Sequence, residues 1–127
     1  MNWHDFELAA PELAALGREV FDEQHLCILG TIRRDGWPRV SPCEIYFVGD
    51  ELLLGMMPDS RKALDLRHDP RITVVNGQSE RIPRHGDFKL YGRATEIFDQ
   101  PTRDAFADAQ EATIDWRPTD PFHVFAV

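Results

Sequence analysis

The spacing of hydrophobic residues changes along the chain from that of a helix to that of strands. Over residues 11–23, four apolar side chains recur at helical spacing, and Pro11 suits the first turn of a helix. These four are Leu13, Leu16, Val20 and Phe21. Residues 26–48 are instead apolar and β-branched, and Asp35-Gly36 within them is a strong hairpin signal. The pattern therefore predicts an amphipathic helix followed by two antiparallel strands.

The rest of the chain continues this pattern with four more strands and two more helices. Asp69-Pro70 ends a short helix that Asp59 or Ser60 caps, and Asp99 suits the cap of the last helix. The predicted strands are 51–57, 71–76, 87–98 and 122–127, the predicted helices are 60–68 and 101–112, and 77–86 is a predicted loop. We therefore expect a mainly β fold with flanking helices: a single domain over residues 1–127, with six antiparallel strands closing a barrel at about 25–127.

The hairpin turn determines which residues of the first two strands face each other. If Asp35 and Gly36 form a two-residue loop, Gly30 lies opposite Ser41. Arg39 then shares a face with Ser41, beside a strand glycine that leaves room for a ligand. A β-bulge would shift this register by one residue.

The charge balance restricts the partners that the chain can attract. The 127 residues carry a net charge of −8 at pH 7, so the overall field repels nucleic acid and anionic lipid, and we expect neither as a partner. An anionic ligand has to be captured by a local cluster of cations. Such a cluster is more informative here than it would be in a basic protein.

Several further features point to a cytoplasmic protein without a metal site. The chain has no run of about 18 apolar residues, and residues 1–6 lack the pattern of a secretion signal. Cys27 and Cys43 have no metal-ligand spacing, and the two-residue register directs them to opposite faces, so we expect two reduced thiols. The five histidines are scattered without ligand spacing. The last strand is still apolar at Val127, which leaves open whether the natural chain continues.

The most informative segment, Ser60-Arg61-Lys62, places two cations in the first turn of a predicted helix. Cations at this end oppose the helix dipole, at a cost of about 0.3–1 kcal/mol each when exposed. A bound phosphate would reverse that effect, because helix N–H groups, the serine hydroxyl and both cations would converge on one dianion. The alternative is that both cations are solvated on a surface turn. Arg39 and Ser41 favour the phosphate, since a barrel brings them to the same anion.

At these residues the chain resembles the pyridoxamine 5′-phosphate oxidase-like family of FMN-binding split β-barrels. The resemblance covers about residues 25–98, and the ordered set of motifs carries it rather than any one of them. The matching motifs are Gly36-Trp37-Pro38-Arg39-Val40-Ser41-Pro42, Ser60-Arg61-Lys62 followed by Leu66 and Asp69-Pro70-Arg71, and Gly92-Arg93-Ala94. The resemblance implies a six-stranded antiparallel split barrel that binds FMN and forms a symmetric homodimer.

The resemblance also implies which residues hold the cofactor. In this family the second strand lines the flavin ring and reaches its phosphate, the strand before the short helix lies beside the ring, and the Ser-Arg-Lys triplet binds the phosphate. The residues at these positions are Arg39, Val40, Ser41 and Pro42, then Gly55, Met56 and Met57, then Ser60, Arg61 and Lys62. No catalytic acid, base or nucleophile is assigned.

The implied function is a flavin-dependent oxidoreductase acting on a small molecule at the dimer interface. The chain lacks, up to Val127, the basic and aromatic motif with which pyridoxamine 5′-phosphate oxidases bind their substrate phosphate, so another substrate is expected. A deazaflavin coenzyme on the same scaffold is the nearest alternative. A non-catalytic module that binds flavin or haem is the other, and haem would need an axial ligand such as His25 or His85.

Overall fold

A computed structural model describes residues 1–78, 80–82 and 84–127, over which the chain forms four helices and seven strands. The helices are α1 (Trp3–Ala9), α2 (Pro11–Asp22), α3 (Arg61–His68) and α4 (Gln100–Ile114). The strands are β1 (Leu26–Ile32), β2 (Pro38–Val48), β3 (Glu51–Met56), β4 (Arg71–Asn76), β5 (Lys89–Arg93), β6 (Thr95–Glu96) and β7 (His123–Ala126). None of the described helices is both long and apolar enough to cross a bilayer.

Apart from the predicted strand over 87–98, the predicted elements are found where the sequence pattern placed them, and one helix is added. Ser60 is the N-cap residue of α3, and Asp99 caps α4 by accepting a hydrogen bond from the Thr102 amide. Helix α1 was not predicted; Asn2 caps it and its Trp3 is buried. The predicted loop 77–86 forms no helix or strand over its described residues, and Ser79 and Pro83 lie outside them.

The strands form one antiparallel sheet in the order β5-β4-β1-β2-β3-β7-β6. Strands β5 and β6 are consecutive in the chain and separated only by Ala94, yet they lie at opposite edges of this order. A one-residue link can join the two edges only if the sheet curls until they meet, so the sheet is a barrel. The prediction of one strand over 87–98 was therefore wrong, because the chain changes partner strand at Ala94 and the sheet has seven strands instead of six.

The predicted register of the β1–β2 hairpin is wrong by one residue. The Arg33 amide bonds the Trp37 carbonyl at 2.9 Å, and Gly36 takes a φ of +86°. These features are typical of a three-residue loop with a bulge. Gly30 consequently pairs with Val40 rather than Ser41, and Cys27 pairs with Cys43.

The corrected register changes two expectations about side chains. Cys27 and Cys43 point to the same face instead of opposite faces, although both remain free thiols. Arg39 and Ser41 do share a face, but their cross-strand partners are Thr31 and Leu29. No strand glycine therefore lies beside them on that face.

Two apolar clusters lie on the two faces of the sheet. Because side chains alternate along a strand, Leu52 and Leu54 of β3 belong to the larger cluster and Leu53 to the smaller, which α4 covers with Phe106. All three leucines are fully buried. Strand β3 is therefore enclosed on both faces, which makes it a rigid support for the turn that follows it.

Helix α2 packs on the barrel with a smaller face than predicted. Val20 and Phe21 are buried, but Leu13 and Leu16 are 50% and 39% exposed. The small residue Gly17 faces the core instead, and a Cβ there would overlap the ring of Phe88. The close approach that this glycine permits turns the two leucines outward.

Candidate functional site

Helix α3 begins with a serine whose hydroxyl has no protein partner. Ser60 is the N-cap residue, but its side chain makes no capping hydrogen bond. Its Oγ is buried and has no hydrogen-bond partner among the described residues. A buried hydroxyl without a partner costs about 1–3 kcal/mol, so this one is open to a hydrogen bond from a bound ligand or water.

A second unpartnered hydroxyl lies on the neighbouring strand β2. Ser41 Oγ is also buried without a hydrogen-bond partner in the described part of the chain. The residues on either side of Ser41 contact α3: Arg39 Nε lies 2.6 Å from Asp65 Oδ2, and Lys62 Nζ donates to the Pro42 carbonyl at 2.9 Å. These two contacts hold Ser41 alongside the first turns of α3, the end of the helix at which Ser60 lies.

Asp65 fixes the orientation of Arg39, and the sequence analysis missed it. Its carboxylate is buried and accepts hydrogen bonds from Arg39 Nε at 2.6 Å and from Thr31 Oγ1 at 2.8 Å. A guanidinium has five N–H donors, so the nitrogens beyond Nε remain available to an anion. No local sequence pattern points to this role, because Thr31 and Arg39 lie 34 and 26 residues from Asp65 in the chain.

A cleft of about 600 Å³ lies between the hairpin turn and α3, and its lining is rich in cations. Arg33 and Arg39 are paired there with carboxylates, whereas Arg34 and Arg61 have no ion-pair partner among the described residues. The lining residues are Arg33, Arg34, Asp35, Arg39, Arg61, Leu64, Asp65, Arg67 and His68. In a chain of net charge −8, this cleft is a local concentration of positive charge of the kind that an anion would require.

A second, apolar pocket of about 310 Å³ is lined in part by Lys62. Five of the predicted cofactor residues line it: Pro42, Gly55, Met56, Met57 and Lys62. The rest of the wall includes residues from α4 and the segment after it, which the sequence analysis did not assign to a site. These include Phe106, Gln110, Ile114, Trp116, Pro118 and Phe122. A mostly apolar wall with a few polar groups is typical of a pocket for a planar organic ring.

Two predicted residues have surroundings that differ from a simple lining role. Val40 points to the opposite face of β2 from Arg39 and Ser41, and its side chain is 73% exposed. At Gly55, a Cβ would overlap the ring of Phe106, so the absence of a side chain there serves the packing of α4. Only the backbone of Val40 can contribute to a ligand held between Ser41 and α3.

The pocket contains no reactive thiol. Cys43 lines it, but its Sγ donates to the Gly55 carbonyl at 3.1 Å, and burial raises the pKa of this thiol to about 12. Burial also raises the pKa of Cys27, whose Sγ donates to the Cys43 carbonyl at 3.5 Å. Neither sulfur is a thiolate nucleophile near neutral pH.

Solved structures with the same fold include proteins of several descriptions. A heme binding protein from Mycobacterium smegmatis has a TM-score of 0.69 at 22% identity, over 91% of this chain and 50% of that one. A putative pyridoxamine 5′-phosphate oxidase from Listeria innocua has a TM-score of 0.68 at 16% identity, over 86% of this chain and 87% of that one. A NimC/NimA family protein from Clostridium acetobutylicum has a TM-score of 0.69 at 16% identity, over 87% and 78%.

These likenesses confirm the predicted split β-barrel fold, and the chain spans half the length of the mycobacterial protein. No curated protein matches the sequence. The family model of pyridoxamine 5′-phosphate oxidase matches residues 14–127, which is nearly the whole chain. The chain therefore belongs to the pyridoxamine 5′-phosphate oxidase family.

Proposed function

We propose that this protein binds FMN and acts as an oxidoreductase on a small molecule. The observation that carries the proposal is the pair of buried, unpartnered hydroxyls at Ser41 and Ser60, next to the cations Arg61 and Lys62. A phosphate accepts hydrogen bonds from hydroxyls, amides and cations at once, so one dianion would satisfy all of these donors.

The surroundings of Lys62 agree with a ligand that is anionic at one end and apolar at the other. The cationic cleft contains Arg39 and Arg61, and the apolar pocket contains Met56 and Met57. In the proposed complex the phosphate lies at the start of α3 and the ring lies toward the apolar pocket. FMN, when bound, supplies the two-electron chemistry, while the protein binds and orients it and keeps water from one face.

The second part of the proposal is a homodimer formed through the outer face of the sheet. Val40, Gly30, Thr73 and Tyr91 form one row across β2, β1, β4 and β5, on the face opposite Arg39. Val40 and Tyr91 of this row are 73% and 79% exposed. Exposed apolar side chains grouped in this way are typical of a protein interface. Light scattering coupled to size exclusion should give twice the chain mass; a strict monomer would contradict this part.

Haem is a second candidate, because the mycobacterial protein of the same fold is a heme binding protein. Haem needs an axial ligand, and neither His25 nor His85 lines the apolar pocket or the cationic cleft. The His25 ring stacks on Tyr46 at 4.9 Å. These positions disfavour the two axial ligands expected from the sequence, whereas His68 does line the cationic cleft. A deazaflavin coenzyme also carries a phosphate that Ser60-Arg61-Lys62 would hold, so an experiment has to distinguish it from FMN.

The visible spectrum of the purified protein tests the proposal, with the mass of any cofactor released by heat. Flavin absorption with released FMN would support it, a Soret band would support haem, and selective uptake of a deazaflavin would support that alternative. The double variant Ser41→Ala/Ser60→Ala should bind FMN at least about tenfold more weakly and fold at least as stably, because it removes two unpartnered hydroxyls. The matched control is Thr113→Ala, which removes a hydroxyl from the exposed end of α4.

A further inference from the structure

A buried histidine lies behind the turn that presents the anion site. His123 of β7 is only 8% exposed, and its Nε2 lies 3.1 Å from the backbone amide of Asp59. Asp59 immediately precedes the N-cap Ser60. The only donor on the Asp59 side of this contact is the amide N–H, so Nε2 accepts the hydrogen bond and carries no proton.

The other ring nitrogen of His123 is held by a carboxylate. Nδ1 lies 2.9 Å from Glu96 Oε1, and because Nε2 is an acceptor, Nδ1 carries the proton and donates to Glu96. The Arg67 guanidinium bonds the same carboxylate through Nε at 2.7 Å and Nη2 at 2.8 Å. The ring is therefore a neutral imidazole in one tautomer, fixed from both sides.

The turn that His123 supports has a backbone conformation that needs support. Asp59 has a φ of +52°, in the left-handed region that non-glycine residues seldom adopt. This conformation directs the chain from β3 into α3 and so determines where the Ser60 hydroxyl and the first-turn cations lie. The hydrogen bond to His123 Nε2 fixes the backbone N–H of Asp59.

We infer that His123 is a positioning residue for the anion site, which holds the turn at Asp59 as a neutral imidazole and so couples anion binding to its own protonation. The inference rests on the proposed function, because the anion is the phosphate proposed above. A proton on Nε2 would turn the acceptor into a donor facing the Asp59 N–H, and the hydrogen bond would be lost. Anion affinity should then fall.

Two charged groups contact the imidazole from the elements packed around it. Glu96 Oε1 on β6 lies 2.9 Å from Nδ1, and Arg67 Nη2 on α3 lies 3.3 Å from the same nitrogen. Glu96 and Arg67 are themselves an ion pair, so their two charges beside the ring largely compensate each other. Asp59 carries a further charge, on the turn itself.

The test compares the FMN dissociation constant of four chains between about pH 8 and pH 5, the range in which an imidazole changes charge. His123→Gln keeps an acceptor oxygen that cannot titrate, so its affinity should be close to wild type at the upper pH. His123→Leu should bind about tenfold more weakly there, the effect of one buried hydrogen bond. His4→Gln, on the exposed face of α1, is the control and should behave as wild type.

The pH profile separates positioning from a purely structural role. The FMN phosphate itself gains a proton near about pH 6, so every chain should lose some affinity on acidification. Wild type should lose more FMN affinity on acidification than His123→Gln does, and the difference between the two losses measures the protonation of His123. An identical profile for wild type, His123→Gln and His123→Leu would overturn the inference.

Amide hydrogen exchange at Asp59, followed by NMR, tests the inference without any ligand. Protection of this amide should fall in His123→Leu and in acidified wild type, and should be retained in His123→Gln. Unchanged protection in His123→Leu would overturn the inference even if FMN binds. Failure of the wild-type chain to bind FMN would instead overturn the proposed function, and the exchange rate would still show whether His123 holds the turn.

Discussion

The two ends of α3 are built from similar residues but are satisfied in different ways. The C-terminal turn carries Arg67 and His68, whose charges agree with the helix dipole, and Arg67 pairs with Glu96. The N-terminal turn carries Arg61 and Lys62 against the dipole, with no acidic residue and no side-chain cap. One end is complete within the protein, and the other has donors without acceptors. The unfinished end is where the proposed phosphate would supply the missing acceptors.

The largest expected effect comes from removing the charge of the unfinished end. Arg61→Gln/Lys62→Gln should weaken FMN binding by at least about 100-fold, because charge-assisted hydrogen bonds to the phosphate are lost. The free energy of unfolding should change by less than about 1 kcal/mol, since exposed charges contribute little. Isothermal titration and thermal unfolding measure the two quantities.

The control for that experiment removes two exposed cations elsewhere. Arg71 and Arg93 lie opposite each other on β4 and β5, so Arg71→Gln/Arg93→Gln changes the net charge equally. Equal losses of affinity in both double variants would show that only the overall field matters, and would contradict a local phosphate site.

The next largest effect concerns the C-terminal end of α3, where Arg67 pairs with Glu96, and it depends on pH. The hydrogen bond from Arg67, together with that from His123, holds the pKa of Glu96 below its usual range against the opposing effect of burial. A carboxyl with a lowered folded-state pKa adds stability above its unfolded pKa and loses it as the pH falls through the folded value. Glu96→Gln should therefore cost about 1 kcal/mol of unfolding free energy at pH 7. The difference should shrink as the pH falls below about 4.3, the usual glutamate value, and urea unfolding across the pH range measures it. A constant difference down to about pH 3 would contradict this account.

The smallest effect comes from a substitution that caps the N-terminal end of α3 without a ligand. Ser60→Asp supplies a capping carboxylate that agrees with the helix dipole, so it should raise the unfolding free energy of the ligand-free protein by about 0.5–1 kcal/mol. It should also repel FMN. Ser60→Asn caps without a charge and should stabilise similarly while binding FMN better than Ser60→Asp. Equal FMN affinity in the two variants would place the phosphate elsewhere.

The positions of the elements were predictable because periodicity, caps and turn residues are local signals. Helix α3 was placed from Ser60 and Asp69-Pro70, and these residues do bound it. The register of the first hairpin was not predictable with the same security, because Asp-Gly is compatible with loops of two and three residues. The difference of one residue in loop length places Cys27 opposite Cys43.

The candidate site was only partly visible in the sequence for a different reason. Ser60-Arg61-Lys62 stands out because its charges violate a local rule, and violations of this kind mark functional sites. Asp65 and His123 violate no local rule. Their roles come from contacts with Arg39 and Asp59, which lie 26 and 64 residues away in the chain. Only the closed barrel brings these partners together.

The single-residue link at Ala94 also determines how the barrel can open. Ala94 joins β5 and β6, the two edge strands that meet where the barrel closes. These two strands can separate only if one of them first leaves its other neighbour, either β5 from β4 or β6 from β7. Strand β6 has two residues and β5 has five, so transient opening should begin at β6. That excursion would carry Glu96 away from the imidazole of His123. Opening at β6 would therefore also remove the hydrogen bond that holds the His123 ring behind the turn at Asp59.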